Sequence, residues 1–228
     1  MAGEGRRFRD AGYDLPKPLI PVCGVPMIQA AIDSLGVSGR WIFITRDNSE
    51  LADTLARLRP ECHMIQTLEL TEGPACSALL ARYLIDDDTP LLIANCDQIM
   101  TWDATAFNDA IRRCEHDGLI VTYPANTPKN SYATVDDNGF VTRIAEKQQI
   151  SHISLNGIHW WKRGSDFVKS AKKMIADNKR VNGEFFVGPT YNELIAEGKK
   201  IVTYPIDAKD HCAVGVPDDL KRYEAFIT

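Results

Sequence analysis

Two stretches near the start carry the residue types needed to hold a chain of phosphates. Gly3-Glu4-Gly5-Arg6-Arg7-Phe8 offers two glycines, whose backbone N–H groups can approach phosphate oxygens because no side chain intervenes, with Arg7 beside them. Pro16-Lys17-Pro18-Leu19 then presents a lysine fixed between two prolines. A glycine pair alone also fits a flexible basic terminus, but that reading leaves the clamped lysine unexplained. Together Arg7 and Lys17 supply fixed positive charge where a triphosphate would sit. A third stretch, Leu91-Leu92-Ile93-Ala94-Asn95-Cys96-Asp97-Gln98, is an apolar run ending in a carboxylate. Ligands of parallel α/β sheets lie beyond the carboxyl ends of strands, so Asp97 falls where a phosphate-bound metal would be. Mg2+ takes few protein carboxylates and completes its shell with phosphate oxygens and water. The plainer alternative for Asp97 is a cap on the next segment.

These residues need a scaffold, and the hydrophobic pattern supplies one. Apolar runs at residues 41–45, 64–68, 91–96, 119–123, 153–161 and 201–206 read as strands. Helices are expected at 26–35, ended by Gly36, and at 48–58, opened by a capping Asn48 and stopped before Pro60. Strands alternating with helices imply parallel pairing through right-handed crossovers, so the first 125 residues read as a doubly wound, nucleotide-binding sheet. Beyond Tyr123 the pattern changes: residues 132–135 and 140–144 flank Asp137-Asn138-Gly139, a tight-turn sequence, and predict an antiparallel insert. Further helices are expected from the Thr71–Ser77 loop to Leu84 and at 166–176, 184–196 and 218–227. The predicted fold class is α/β, a three-layer α/β/α, Rossmann-like domain with a mixed, mostly parallel sheet. One domain spans 1–228, with 1–125 as its nucleotide-binding half and 126–228 as its acceptor-binding half.

Composition bounds the partners. At 228 residues, 44% hydrophobic and 25% charged, the chain can bury a core without staples. A net charge of -5 argues against polyanionic nucleic acid as a partner. The six cysteines, Cys23, Cys62, Cys76, Cys96, Cys114 and Cys212, lack metal-ligand spacing and read as reduced thiols. No apolar stretch approaches the roughly 18 residues of a membrane span, and no signal-peptide pattern opens the chain, so a cytoplasmic location is expected. The five histidines show no nucleophile or metal spacing, and Trp160-Trp161 reads as core.

With Gly3, Gly5, Arg7, Pro16, Lys17 and Pro18 in place, the sequence resembles the sugar-1-phosphate nucleotidyltransferases, also called NDP-sugar pyrophosphorylases, whose fold is glycosyltransferase-A-like. The Val-Gly-x-Pro-x-Asp-Leu ending at 214–220 is similar to a branch that includes capsule-related and phosphonate cytidylyltransferases. The resemblance implies transfer of a nucleoside monophosphate from an NTP to a phosphorylated small molecule, with release of pyrophosphate, in NDP-sugar and polysaccharide biosynthesis. It makes Arg7 and Lys17 catalytic, Asp97 the ligand of a Mg2+ cofactor, and Ala2, Gly3, Gly5, Thr71, Gly73, Ala75 and Asn95 nucleotide-binding. It gives the acceptor to Glu146, Lys147, Asn156, Gly157 and Glu184, with Lys147 on the phosphate. The loop Thr71-Glu72-Gly73-Pro74-Ala75-Cys76-Ser77 is similar to members that use CTP, with uridylyl or guanylyl transfer as the alternatives. A homo-oligomer is compatible with the family, and a membrane is not an expected partner.

Two departures accompany the resemblance. Ala213 stands where many members carry a second metal-binding Asp, leaving Asp207, Asp210 or the phosphates to complete the site. The chain also opens at the glycine loop, without the apolar strand that usually feeds it, so a first strand is expected to be missing. A non-catalytic nucleotide- or metabolite-binding module with a decayed site is the rival reading from another class.

Overall fold

The computed structural model describes Met1, Gly3 and residues 5–227. In chain order its elements begin α1 (Arg6–Asp10), β1 (Pro21–Val22), β2 (Val25–Pro26), α2 (Met27–Leu35), β3 (Ile42–Arg46), α3 (Ser49–Leu58), β4 (His63–Thr67), α4 (Pro74–Leu79) and α5 (Arg82–Ile85). They continue β5 (Leu91–Ala94), β6 (Gln98–Met100), α6 (Ala104–Arg113), β7 (Gly118–Pro124), β8 (Ser131–Val135), β9 (Val141–Glu146), β10 (Ile153–Trp161) and α7 (Gly164–Ala176). Last come α8 (Tyr191–Ala196), β11 (Ile201–Pro205), β12 (His211–Ala213) and α9 (Pro217–Ile227). Two compact units emerge. Unit 1 takes Met1–Leu70, Asn95–Ala106 and Lys209–Thr228; unit 2 takes Thr71–Ala94 and Phe107–Ala208.

In unit 1, β3, α3 and β4 form a strand-helix-strand segment whose strands pair in parallel, Ile42 opposite His63 through Arg46 opposite Thr67. Asn48 caps α3, its Oδ1 accepting from the Leu51 N–H at 2.7 Å, as its position before the apolar Leu51 and Leu55 led one to expect. Leu19, Ile28, Ile32, Phe43, Leu51 and Leu55 make one buried cluster, against which Met1 packs. A second cluster joins Phe8, Ile20, Val22, Met27, Ile99, Val214 and Leu220. It anchors the start of the chain, the β6 turn and the C-terminal segment to one another.

In unit 2, six strands form one sheet with β11, β7, β10, β8 and β9 in order and β5 also paired to β10. The mixed α/β class predicted from sequence is the one found. β5, β7, β8 and β11 share a direction, and β10 and β9 run against it. Because the reversed β10 lies between its neighbours, most ladders are antiparallel although most strands are codirectional. The predicted antiparallel insert is the β8–β9 hairpin, closed by Asp136, whose Oδ1 accepts from the N–H groups of Asn138 and Phe140 at 3.0 and 2.9 Å. Trp161 and Tyr191 stack at 4.5 Å with Phe167 edge-on to Trp161, so the paired tryptophans belong to the core as predicted.

Three expectations need correction. The first 125 residues do not form one doubly wound sheet among the described residues: their strands fall into separate ladders, β1–β2, β3–β4, β6 with β12, and β5 and β7 on β10. The helix expected to follow the Thr71–Ser77 loop and run to Leu84 is two helices, α4 and α5. Leu80 and Ala81 switch to bonds three residues back, to Ser77 and Ala78, and the coil tightens and turns there. The helix expected at 184–196 opens with a 3-10 turn at Gly188–Thr190 and becomes α-helical at Tyr191. Glu184 and Phe185 are extended because Val181 and Glu184 exchange two backbone hydrogen bonds and the Phe185 N–H donates to Glu72 O.

Candidate functional site

The phosphate-type residues of unit 1 converge on one ion pair. Gly5 caps α1 in the left-handed conformation, φ 61°, and its carbonyl accepts from the N–H groups of Phe8 and Arg9. A side chain there would press on Lys17 Cβ at 3.2 Å, so the glycine loop and the lysine segment are built in contact. Lys17 opens a short 3-10 turn, and the prolines around it limit the backbone paths its ammonium can take. Lys17 Nζ donates to Asp97 Oδ2 at 2.5 Å. Burial pulls the Lys17 pKa down, but the Asp97 carboxylate, with smaller help from Cys96, outweighs it and the net shift is upward. The ammonium is therefore charged throughout the physiological range. Arg7 is exposed on α1 and its charge is felt at Lys17 as a repulsion.

Asp97 sits in the turn after β5 and immediately before β6, and the C-terminal segment holds it from the other side. β12 pairs with β6, Ala213 opposite Gln98, and the Val214 N–H donates to Asp97 O at 3.0 Å. The next residue, Gly215, passes so close that a Cβ on it would lie 2.5 Å from Asp97 Oδ2 and 3.5 Å from Lys17 Nζ. Sequence reasoning did not assign Gly215 to the site; a glycine one residue before the Val216-Pro217 helix entry is too ordinary a signal. Asp210, weighed as a substitute carboxylate, is at the opposite end of the β6–β12 ladder. There Thr101 bonds both its carbonyl and its side chain, about 10 Å along the strand from Ala213. Asp207 belongs to unit 2. Among the described residues no group of three or more His, Cys, Asp and Glu side chains could hold a metal ion. What the residues offer Mg2+ is the single carboxylate of Asp97, part exposed, which suits an ion whose other ligands are substrate phosphates and water. His211, on β12, is pushed down to about 4 by burial against a smaller opposing pull from Asp97, and stays neutral at pH 7. Asn95 is exposed, Gly3 is exposed, and Ala2 lies outside the described residues.

Unit 2 holds the remaining candidates. Thr71 Oγ1 bonds Gly73 O at 3.2 Å and Ser77 Oγ at 2.6 Å, which ties the loop to the first turn of α4. Gly73 has φ 128°, and a Cβ there would lie 2.5 Å from the backbone N and O of Phe185, so this glycine answers to a neighbouring chain segment. Ala75 is fully buried and its N–H donates to Phe185 O at 3.0 Å.

Ser131, Glu146, Lys147 and Glu184 form a second group. The Ser131 hydroxyl donates to Glu146 Oε2. Burial raises the Glu146 pKa, Ser131 and Lys147 oppose it, and the Glu184 charge adds to it. Lys147 has φ 53°, an unusual conformation for a long side chain, and its ammonium lies 4.5 Å over the Phe186 ring. Asn156 is buried, and its Oδ1 accepts from the Ile158 N–H at 2.9 Å. This closes a bulge at Gly157, φ 96°, where the β10–β7 register shifts. A cleft of about 370 Å³ is lined by Arg143, Glu146, Lys179, Arg180, Asn192 and Glu193. Ser131 and Arg180 were not singled out from sequence, since each becomes a candidate only once strand register and loop path are known.

Residues 1–149 match the family model described as MobA-like NTP transferase domain. Among curated proteins the chain is 26% identical over 157 residues to "Mannose-1-phosphate guanyltransferase 2" of Candida glabrata, covering 64% of this chain and 44% of that protein. It is 23% identical over 151 residues to "Bifunctional protein GlmU" of Methanocaldococcus jannaschii, covering 65% and 35%. The chain thus spans less than half the length of these relatives. A nucleoside-diphosphate-sugar pyrophosphorylase structure from Vibrio cholerae RC9 superposes with a TM-score of 0.85 at 22% identity over 98% of this chain and 97% of that one. UDP-glucose pyrophosphorylase complexed with UDP-glucose superposes at 0.79 and 15% identity, over 99% and 95%. These two likenesses establish the fold.

Proposed function

The chain belongs to the MobA-like NTP transferase domain family, and from that premise we propose that it is a Mg2+-dependent nucleotidyltransferase. It transfers a nucleoside monophosphate from an NTP to a sugar phosphate or related phosphorylated acceptor and releases pyrophosphate. The observation that carries the proposal is the Lys17–Asp97 pair, held under the glycine loop with the Gly215 backbone against it. A partly buried ammonium beside a carboxylate is the arrangement expected where a polyphosphate and a cation are to be received together. In this reading residues 1–125 are the nucleotide-binding half and 126–228 the acceptor-binding half of one domain.

The reaction is a displacement at the α-phosphorus. An acceptor phosphate oxygen forms the new P–O bond, the bond to the β-phosphate oxygen breaks, and pyrophosphate leaves with that electron pair. No covalent enzyme intermediate is needed. Lys17 exchanges its bond to Asp97 for phosphate oxygens, and Arg7 takes the pyrophosphate portion. Gly3 and Gly5 leave their N–H groups unobstructed for the phosphates, and Ala2 and Asn95 lie along the same part of the nucleotide site. Asp97 would hold Mg2+, which supplies charge neutralisation on the phosphates when bound. Thr71 and Gly73 meet the base, and Ala75 supports them from beneath. Lys147 and Glu146 take the acceptor, with Glu184, Asn156 and Gly157 shaping its surroundings. CTP is the favoured base by the Thr71–Ser77 loop; GTP and UTP are the alternatives raised by the names of the relatives and the structural neighbours.

The test is NTP binding by titration calorimetry, with and without Mg2+. Wild type should bind one NTP and tighten with Mg2+; Asp97→Asn should lose the Mg2+ effect. Failure to bind any NTP would end the proposal. Ala213, where a second carboxylate is missing, favours the rival reading of a binding module without turnover, which predicts binding but no pyrophosphate release.

A further inference from the structure

The loop at 71–77 and the segment at 180–186 sit more than a hundred residues apart in sequence, yet in unit 2 they are fastened together. Val181 and Glu184 bond each other through both backbone pairs, at 2.9 and 3.0 Å, around Asn182 and Gly183 with φ 49° and 85°. That is a two-residue turn of the type that fits a tight hairpin, and it leaves Glu184 little freedom. Immediately after it the Phe185 N–H donates to Glu72 O at 2.8 Å, and the Ala75 N–H donates to Phe185 O at 3.0 Å. Arg180 completes the fastening. Its Nη2 meets Glu72 Oε1 at 3.1 Å, its Nη1 donates to Gly183 O at 3.2 Å, and its guanidinium lies 4.2 Å over the Phe185 ring. Phe185 is fully buried in a cluster with Ala75 and Met174. One arginine therefore holds the side chain of the first loop, the turn of the second, and the ring between them.

Arg180 also lines the cleft that contains Glu146. Its reach runs from Glu72, beside the residues proposed to meet the base, to the wall of a cleft also lined by Glu146, one of the residues proposed to take the acceptor. A hairpin this short, clamped at its base, passes on a displacement rather than absorbing it.

We propose that Arg180 is a positioning residue that couples the two substrate loops, so that nucleotide settling on the Thr71–Ser77 loop orders the Val181–Phe185 hairpin and prepares the acceptor side. The inference rests on the assignment of those loops made above. Coupling of this kind is reciprocal, so an acceptor that orders the hairpin tightens the nucleotide by the same factor.

The test is amide hydrogen exchange on the full chain, with and without a saturating NTP chosen from CTP, GTP and UTP by its binding. Four proteins are compared: wild type, Arg180→Glu, Glu72→Arg and the double reversal. Both side chains are substantially exposed, Glu72 at 61% and Arg180 at 33%, so all four are expected to fold. In wild type the nucleotide should slow exchange in 71–77 and also in 181–185, the latter by about fivefold. Either single reversal should confine protection to 71–77, and the double reversal, which restores the ion pair but not the contacts with Gly183 O and the Phe185 ring, should return part of it to 181–185. Protection of 71–77 with 181–185 unchanged in wild type overturns the coupling while leaving the nucleotide site intact. Protection of 181–185 that survives both single reversals also overturns it, because that marks direct ligand contact. If no nucleotide protects either segment, the assignment of the base loop fails and the coupling falls with it.

Discussion

Replacing Gly215 by alanine adds a methyl carbon 2.5 Å from Asp97 Oδ2 and 3.5 Å from Lys17 Nζ. An ordinary carbon–oxygen contact is about 3.3 Å, so something must move by about 0.8 Å. Backbone geometry at Gly215 is not in the left-handed region, so alanine itself is conformationally acceptable there. The element that yields most easily is the Asp97 carboxylate, the free end of a short side chain, and turning it away breaks its 2.5 Å contact with Lys17. Stability should therefore change little, within about 1 kcal/mol, since the loss in packing is partly offset by the lower chain entropy of unfolded alanine. Activity should fall by about 10²-fold, the penalty for displacing a catalytic group by the better part of an ångström. The assay is steady-state pyrophosphate release beside a thermal melt of the same sample. Turnover within threefold of wild type refutes the reasoning, because it means the carboxylate and ammonium need not hold their places. A melt lowered by many degrees refutes it differently, by locating the strain in the fold.

Three further outcomes follow from the same geometry. Lys17→Ala should lower turnover by about 10²-fold or more, and a loss below tenfold removes Lys17 from the catalytic role. Burial holds His159 down to about 4, below its ordinary 6.5. The unfolded chain thus takes up a proton between those values that the folded chain refuses, and stability present above pH 6.5 is lost as the pH falls toward 4. The loss should reach about 3 kcal/mol relative to His159→Gln in urea unfolding, and equal pH dependence in the two proteins would contradict it. Gly73→Ala should destabilise by about 2 kcal/mol or more in the same urea assay, because φ 128° and the Phe185 backbone both exclude a Cβ; a neutral result would mean that the loop relaxes freely.

What could be read from sequence was what depends on neighbours along the chain. Asn48 as a cap, the apolar run of β10 at its full length and the turn at Asp137 to Gly139 all rest on local chemistry, and each is found. Lys17 and Asp97 could be named because their flanking residues are distinctive, and the structure joins them across eighty positions. Gly215 could not, since its importance comes from the atoms it passes. Residues 184–187 read as helix because nothing local reveals that Phe185 gives its N–H and C=O to the 72–75 loop. Asn182-Gly183 is a local sign of a turn, but the same pair also fits the entry to a helix.

The most direct test of the nucleotidyltransferase account is pyrophosphate release in Mg2+ from CTP, GTP, UTP, dTTP and ATP, each offered with a set of sugar phosphates and phosphonates, for wild type and Asp97→Ala. Release with one NTP, reduced by about 10²-fold or more in Asp97→Ala, is the predicted result. An NTP that binds without release under any pairing, or release that survives the loss of Asp97, contradicts it.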